Sequence, residues 1–442
     1  MWLLSSPLLR RSARLPAALQ KPEQLFSKYK FFDFDLHENL RMGLSGLSIE
    51  TATSIQAKSF VPISSYRDTT LCSETGSGKT LAYLIPLLNR TMFRQEAEVA
   101  PQRFDLLGRS APPTIVLCPT VELCKQVLSV AQSLDPGSLV SKQVLNAVTA
   151  ADTFVSPRIR WGAVDLVLAT PAKFAQDLER FRDDKLVPGT IVFDEADLLF
   201  HGSAQAQVLD IIEYLRPRVL GKDNTDSPKL PCQFVFASAT VPHIGHFTVG
   251  SMLTQRFATA ETVQTDRFHA LPSSIEAVDW VSEPKGDWDE RCYMLSQTLH
   301  SLKGQRVLVF VNSVRNCNAL YTFLREKKWP VNRFFRTSRN GQDVASLFSN
   351  EVSIVVATDV AARGIDWEDV DTVINFQMAT DVVSWIHRAG RCGRLGRRGR
   401  VISYFKEKEE PLVEALKRKL ASGDSVDSLF SHKRSLKKRL SS

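Results

Sequence analysis

The feature that most constrains this 442-residue chain is an alternation, in which short β-branched runs are separated by longer helix-compatible segments. Runs at 69–72, 115–118, 164–169, 191–193 and 234–237 predict one set of strands, and runs at 307–311, 354–357, 372–375 and 401–405 predict a second. Strands interleaved with helices form mostly parallel sheets with helices on both faces, so the expected class is α/β with two domains. Each run of the first set leads directly into a polar motif. In open parallel sheets ligands gather beyond the carboxyl ends of the strands, so those motifs are expected to share one crevice. The change of domain is expected at 265–272, before a strand-like run at 275–281. Two polar, proline-bearing stretches, 94–113 and 216–231, read as surface excursions.

With 43% hydrophobic residues the chain has material for large cores, but its most obvious apolar stretch, 81–88, is far shorter than the roughly 18 residues of a membrane span. No transmembrane helix is expected. The seven cysteines are odd in number and none has CxxC spacing, which argues against a disulfide framework and a structural metal. The net charge of +8 is uneven: residues 1–22 carry +4 and residues 431–442 carry +5, both without an acid, which leaves the body near −1. A nucleic-acid grip in the body must therefore come from local features. The acid-free leader, with Arg10, Arg11, Arg14, serines and leucines, has the composition of a mitochondrial transit peptide; the alternative is a basic leader with no address. The basic tail is open to RNA phosphates or to no specific role.

The segment 73–80 reads SETGSGKT between a predicted strand and a predicted helix. Gly76 and Gly78 let the backbone turn its amides toward phosphate oxygens, Lys79 can reach the β and γ phosphates, and Thr80 can ligate magnesium. Ser73 occupies the position where the full P-loop pattern has glycine. Downstream, 191–193 delivers Asp194, Glu195, Ala196 and Asp197. An aspartate at a strand end suits the water shell of a magnesium nucleotide, and the neighbouring glutamate is placed to orient and deprotonate an attacking water.

These two motifs, including the literal Asp-Glu-Ala-Asp, make the chain resemble the DEAD-box family of ATP-dependent RNA helicases. Further motifs carry the resemblance across residues 31–405: Ser238-Ala239-Thr240 after a strand, ATDVAARGID at 357–366 and HRAGRCGR at 387–394. The resemblance implies two tandem RecA-like domains, 23–268 and 269–415, between the leader 1–22 and the tail 416–442. It implies ATP and Mg2+ as cofactors, with Ser73, Glu74, Thr75, Gly76, Ser77, Gly78, Lys79 and Thr80 around the phosphates. Gln56 would read the adenine edge and Asp366 would touch the ribose. Phe31 would stack on the base, against the alternative of a core aromatic. Asp194 would hold the metal through water. Arg391 and Arg394 would act as arginine fingers from the second domain, worth roughly 10³ to 10⁵ in rate. His387, Asp197, Ser238 and Thr240 would couple domain closure to the phosphate site, although His387 also reads as a structural histidine.

The family grips RNA by its sugar-phosphate backbone, largely without regard to sequence. The matching positions are Pro119, Thr120 and Glu122, then Thr170 and Pro171, and Asn312 and Thr358 in the second domain. The departures from the family pattern concern RNA. Val121 replaces the usual arginine, Ala172-Lys173 replaces Gly-Arg, no Gly-Gly pair lies between 124 and 165, and no Gln-x-x-Arg precedes Phe348. Ala52 also replaces a proline in the segment containing Gln56. The expectation is a monomeric RNA-dependent ATPase with an altered RNA grip, serving mitochondrial RNA metabolism such as ribosome assembly, with ribonucleoprotein components as partners and no membrane. An ATP-dependent RNA clamp or assembly factor with little unwinding is the rival reading, and a DNA helicase is a third.

Overall fold

The computed structural model describes residues 26–98, 113–136, 147–149, 164–176, 188–200, 204–219, 232–241, 249–265, 268–269, 271–272, 274–283, 287–335, 347–348, 352–359, 367, 370–393, 397–422, 426 and 429. The chain begins with a two-stranded antiparallel ribbon, β1 (Phe26–Lys30) against β2 (Thr51–Thr53). The first large sheet follows: β3 (Thr69–Cys72), β4 (Thr114–Leu117), β5 (Ala147–Thr149), β6 (Leu166–Ala169), β7 (Thr190–Asp194), β8 (Gln233–Ser238) and β9 (Glu261–Gln264). All its pairings are parallel, in the order β5-β6-β4-β7-β8-β3-β9. The second large sheet contains β10 (Ile275–Ser282), β11 (Val307–Val311), β12 (Val331–Phe334), β13 (Ile354–Thr358), β14 (Thr372–Asn375) and β15 (Gly399–Phe405). It too is parallel throughout, ordered β10-β15-β14-β11-β13-β12.

The central strands read as continuous apolar runs because helices cover both faces of each sheet. Among the described residues four buried clusters result, two per domain. One face of the first sheet packs Val116, Val192 and Val235 against Leu84, Leu88 and Val127, while the other packs Ile191, Phe193 and Phe236 against Ile211, Leu215 and Phe257. The second sheet repeats this, with Leu308 and Val373 facing Trp385 and Leu416, and Val309 and Ile374 facing Leu295 and Leu320.

The strands absent from the sequence expectation are the ribbon and the short strands β5, β9 and β12. The last three lie at sheet edges, where one flank has no partner strand and the apolar signal weakens. The stretch 94–113 was expected to be a surface excursion, yet the helix Lys79–Glu98 runs into it, and the helix Gln205–Val219 likewise enters 216–231. Residues 99–112 and 220–231 lie outside the described residues. The leader, residues 430–442, most of 124–165, and residues 336–346 also lie outside them. The segment expected as a tail from 416 starts inside the helix Glu410–Ser422, and its Leu416, Val426 and Leu429 are buried in the core of the second domain, because their apolar side chains continue the face that covers the second sheet. Among the described residues no helix is long and apolar enough to cross a membrane, and all seven cysteines are buried and free.

Candidate active site

The crossing order of the first sheet places the ends of β3, β7 and β8 side by side, and this assembles the phosphate site. Beyond Cys72 the chain turns through Gly76 and Gly78, both with positive φ (79° and 88°), a conformation that glycine adopts without strain. The Ser73 and Ser77 hydroxyls meet at 2.5 Å inside the turn, so Ser73 fills the usual glycine position with a buried, bonded side chain. Lys79 donates to the carbonyls of Ser73 (2.8 Å) and Glu74 (2.9 Å). Desolvation lowers its ammonium pKa, an effect opposed by Glu195, Glu74 and Asp194. A site with this cation and these turned amides suits the triphosphate of a nucleotide.

Asp194 closes β7. Tyr83 donates to one of its carboxylate oxygens at 2.9 Å and the Glu195 amide donates to the other at 3.0 Å. Burial, and then the neighbouring Glu195, push its pKa up to about 7. A buried carboxylate that resists its own charge is suited to an arriving cation, and Thr80 stands in the first turn of the helix Lys79–Glu98 as an additional oxygen ligand. These residues fit magnesium carried on a nucleotide. When bound, the ion would neutralise phosphate charge, with Thr80 contacting it directly and Asp194 acting through water.

Glu195 adopts a left-handed backbone (φ 51°, ψ 52°), unusual for a residue with a side chain and a recurrent mark of functional turns. Among the described residues its buried Oε2 has no hydrogen-bond partner; it lies 3.9 Å from Nδ1 of His387, which likewise has none among them. His387 belongs to the second domain, on the helix Val382–Ala389. Its Nε2 lies 2.7 Å from Asp197 Oδ2. Asp197 also accepts from the Thr240 hydroxyl, while its amide donates to Ser238 Oγ at 3.3 Å. Burial works against the Asp197 charge, but His387 and Thr240 outweigh it and hold the pKa down at about 2. All four expected coupling residues thus form one network across the domain boundary. Glu195, Asp197 and His387 also come close enough together to hold a cation, but the 2.7 Å contact identifies the Asp197–His387 pair as hydrogen-bonded.

The second domain approaches the phosphate loop directly. Gly390 packs so closely on Thr75 that a Cβ there would fall 2.7 Å from Thr75 Cβ. Arg391 is buried, and its Nε donates to the His387 carbonyl at 3.0 Å. Arg394 and Asp366 lie outside the described residues.

Two adenine-site expectations look different in the structure. Phe31 is only 4% exposed and its ring packs on Phe34, so the core reading is the one observed, while Phe32 next to it is 61% exposed. The reason is local: the Phe31 amide is pinned to the Glu50 carbonyl at 2.8 Å, which turns its ring inward. Gln56 accepts from the Thr53 amide at 2.8 Å and donates to the Gly78 carbonyl at 3.2 Å. It thereby ties the helix Ser54–Ser64 to the phosphate turn, with one amide hydrogen remaining for a ligand.

The RNA candidates all fall at carboxyl ends of strands. Pro119, Thr120 and Glu122 follow β4, and Thr170 and Pro171 follow its neighbour β6. Thr120 caps the helix Val121–Ser133 through the Leu123 amide at 3.2 Å, and Thr170 accepts from the Lys173 amide at 3.4 Å. In the second domain Thr358 ends β13 directly beside Val311, which precedes Asn312. Val121 is half-buried, Ala172 exposed and Lys173 half-buried.

Within HRAGRCGR the sequence does not single out Arg388. Its fully buried guanidinium is bidentate to Asp359 (2.5 and 2.7 Å), and also donates to Asn312 Oδ1 (2.6 Å) and the Gln377 carbonyl (2.8 Å). It holds the RNA candidate Asn312 to the helix that carries His387. The acid partner is 29 residues away in the chain, so no local spacing exposes it. Tyr83, the Asp194 partner, was missed for the same reason: it reads as one more apolar position of its helix.

Two parallel-sheet domains, with a phosphate-loop turn in one and His387 of the other facing Glu195 beside it, suit a nucleoside triphosphatase. Residues 53–246 match the DEAD/DEAH box helicase family and residues 290–396 match the helicase conserved C-terminal domain. The chain belongs to the DEAD-box family of ATP-dependent RNA helicases. It is 27% identical to DEAD-box ATP-dependent RNA helicase 22 of Oryza sativa subsp. japonica, over 91% of this chain and 82% of that protein. It is 29% identical to DEAD-box ATP-dependent RNA helicase 39 of Arabidopsis thaliana, over 90% of this chain and 62% of the other. Among solved structures it is similar in fold to S. cerevisiae Dbp5 bound to RNA and ADP BeF3. The TM-score is 0.70 at 21% identity, covering 88% of this chain and 93% of that one.

Proposed function

We propose that this chain is an RNA-dependent ATPase that locally opens or remodels RNA in mitochondrial ribonucleoprotein, with ribosome assembly as the setting. The observation that carries the catalytic part is the pair facing each other across the domain boundary, Glu195 Oε2 and His387 Nδ1 at 3.9 Å, neither with a hydrogen-bond partner among the described residues. In this reading Lys79 grips the β and γ phosphates, Glu195 takes the proton of an attacking water, and Arg391 offers from the second domain a positive charge that offsets the negative charge developing on the transferred phosphoryl group. Hydrolysis then requires the closed pair of domains. RNA bound across the carboxyl ends of both sheets favours closure, and a strand bent by closing loses its duplex partner. Arg394 is the second finger in this scheme and Asp366 the ribose contact.

The mitochondrial setting rests on the acid-free leader. The choice of ribonucleoprotein rests on the replaced RNA-contact residues at 121 and 172–173, which suit a partner-assisted grip. Steady-state ATP hydrolysis by the full chain, with and without single-stranded RNA, tests the enzyme beside Glu195→Gln. RNA-stimulated turnover lost in that variant is the expected result. ATP binding without turnover would favour the clamp reading. Residues 1–30 fused to a fluorescent protein test the address, and a diffuse cytosolic signal would remove it.

A further inference from the structure

Between Gln264 at the end of β9 and Ile275 at the start of β10, the chain crosses from one domain to the other. A passive tether would be expected to make few specific contacts. Instead, the described residues of this crossing touch the hydrolytic machinery at three places. The Thr265 amide donates to the Cys72 carbonyl (3.1 Å), and its hydroxyl donates to Glu74 Oε2 in the phosphate loop (2.9 Å). Nε2 of the buried His269 accepts from the Val241 amide (2.8 Å), immediately after Thr240. The Ser274 hydroxyl donates to the carbonyl of Gly393, two residues beyond Arg391.

We propose that this crossing is a strap that positions the hydrolytic segments of both domains, with His269 and Ser274 as its positioning residues. Because a backbone amide can only donate, the Val241 contact requires Nε2 of His269 to be without a proton. His269 holds φ 64°, a left-handed conformation that a residue with a side chain keeps only when its surroundings fix it. The strap thus sets Val241, and through it Thr240, whose hydroxyl bonds Asp197, the partner of His387. At its other end Ser274 sets the turn that follows Arg391. The Ser274 carbonyl also accepts from the Gly399 amide at 2.9 Å, which anchors that end to the second sheet. The inference rests on the ATPase reading above and adds to it that the crossing contributes to turnover beyond keeping the domains together.

The experiment compares His269→Leu, His269→Gln and Ser274→Ala with wild type in the full chain. Glutamine offers an acceptor oxygen to Val241, whereas leucine leaves a buried amide unsatisfied. For His269→Leu and Ser274→Ala, RNA-stimulated kcat is expected to fall about tenfold while KM for ATP stays within about twofold; His269→Gln is expected to recover most of kcat. An unchanged kcat in the leucine variant, or a glutamine variant as impaired as leucine, would overturn the strap. Absence of RNA-stimulated turnover in wild type would remove the proposed function but still leave a direct test. With magnesium and a non-hydrolysable ATP analogue, hydrogen-exchange protection of 238–241 should fall in His269→Leu and persist in His269→Gln. Equal protection in all three proteins would refute the strap without any catalytic readout.

Discussion

Gly390→Ala isolates domain closure as a single steric event. Gly390 has φ −70° and ψ 8°, which alanine adopts freely, so the backbone supplies no penalty. The added carbon would fall 2.7 Å from Thr75 Cβ and 3.1 Å from its Cγ2. Carbon atoms prefer about 3.5 to 4.0 Å, so the overlap approaches 1 Å. Rotation of Thr75 could move its hydroxyl and methyl, but its Cβ is fixed by the backbone of the phosphate loop. Overpacking of this size costs about 1 to 3 kcal/mol. Because the contact crosses the domain boundary, the molecule can escape by remaining open, and the penalty falls on closure rather than on either core. At 1.4 kcal/mol per tenfold, the closed state should lose roughly 5- to 150-fold in population.

RNA affinity measured by fluorescence anisotropy with a non-hydrolysable ATP analogue should weaken by that factor. Nucleotide-free RNA affinity, ATP binding and melting temperature should stay near wild type. Thr75→Ala in the same protein removes the hydroxyl and methyl contacts but keeps the 2.7 Å one, and should restore affinity only in part. Full analogue-dependent RNA affinity in Gly390→Ala would refute the argument, as would a matching loss of ATP binding.

Further outcomes follow from the charges. Asp194 is raised to about 7 by burial and Glu195, against about 4 in an unfolded chain, so the folded apo protein holds an additional proton between those values. Its contribution to stability therefore grows as pH falls from 7 toward 4, and magnesium–ATP binding near pH 6.5 should release a proton, read as a buffer-dependent binding enthalpy that Asp194→Asn removes. Asp197 is held at about 2, so its contribution is present above about 4 and lost as pH falls through 2; Asp197→Asn should weaken analogue-dependent closure, seen as interdomain fluorescence transfer, while leaving ATP binding within a few-fold. Val121→Arg, at a half-buried site in the first turn of its helix, should tighten RNA binding and steepen its salt dependence by about one unit of slope; an unchanged slope would show that residue 121 does not face the phosphates. Arg388→Lys preserves the charge beside Asp359 but not the bidentate bond or the reach to Asn312, and should raise KM for RNA about tenfold with little change in ATP affinity.

The sequence by itself determined what is local or repetitive. Apolar β-branched runs specify buried parallel strands wherever both faces are covered, so β3, β7, β11 and β14 were legible nearly to the residue. The motifs were legible because a phosphate turn needs its glycines, lysine and threonine consecutively, and the DEAD tetrapeptide sits at a strand end. Edge strands such as β5, β9 and β12 lack that signal because packing on one flank is missing. Only the tertiary structure decided relations between distant segments. It turned Phe31 inward through the Glu50 carbonyl, gave Gln56 to the phosphate turn, and joined Arg388 to Asp359 and Asn312. It also brought Gly390 onto Thr75 and His387 onto Asp197 across 190 residues of chain. Those contacts depend on sheet order and on how two domains meet. A hydrogen bond between residues far apart in the chain leaves no periodicity for a sequence to display.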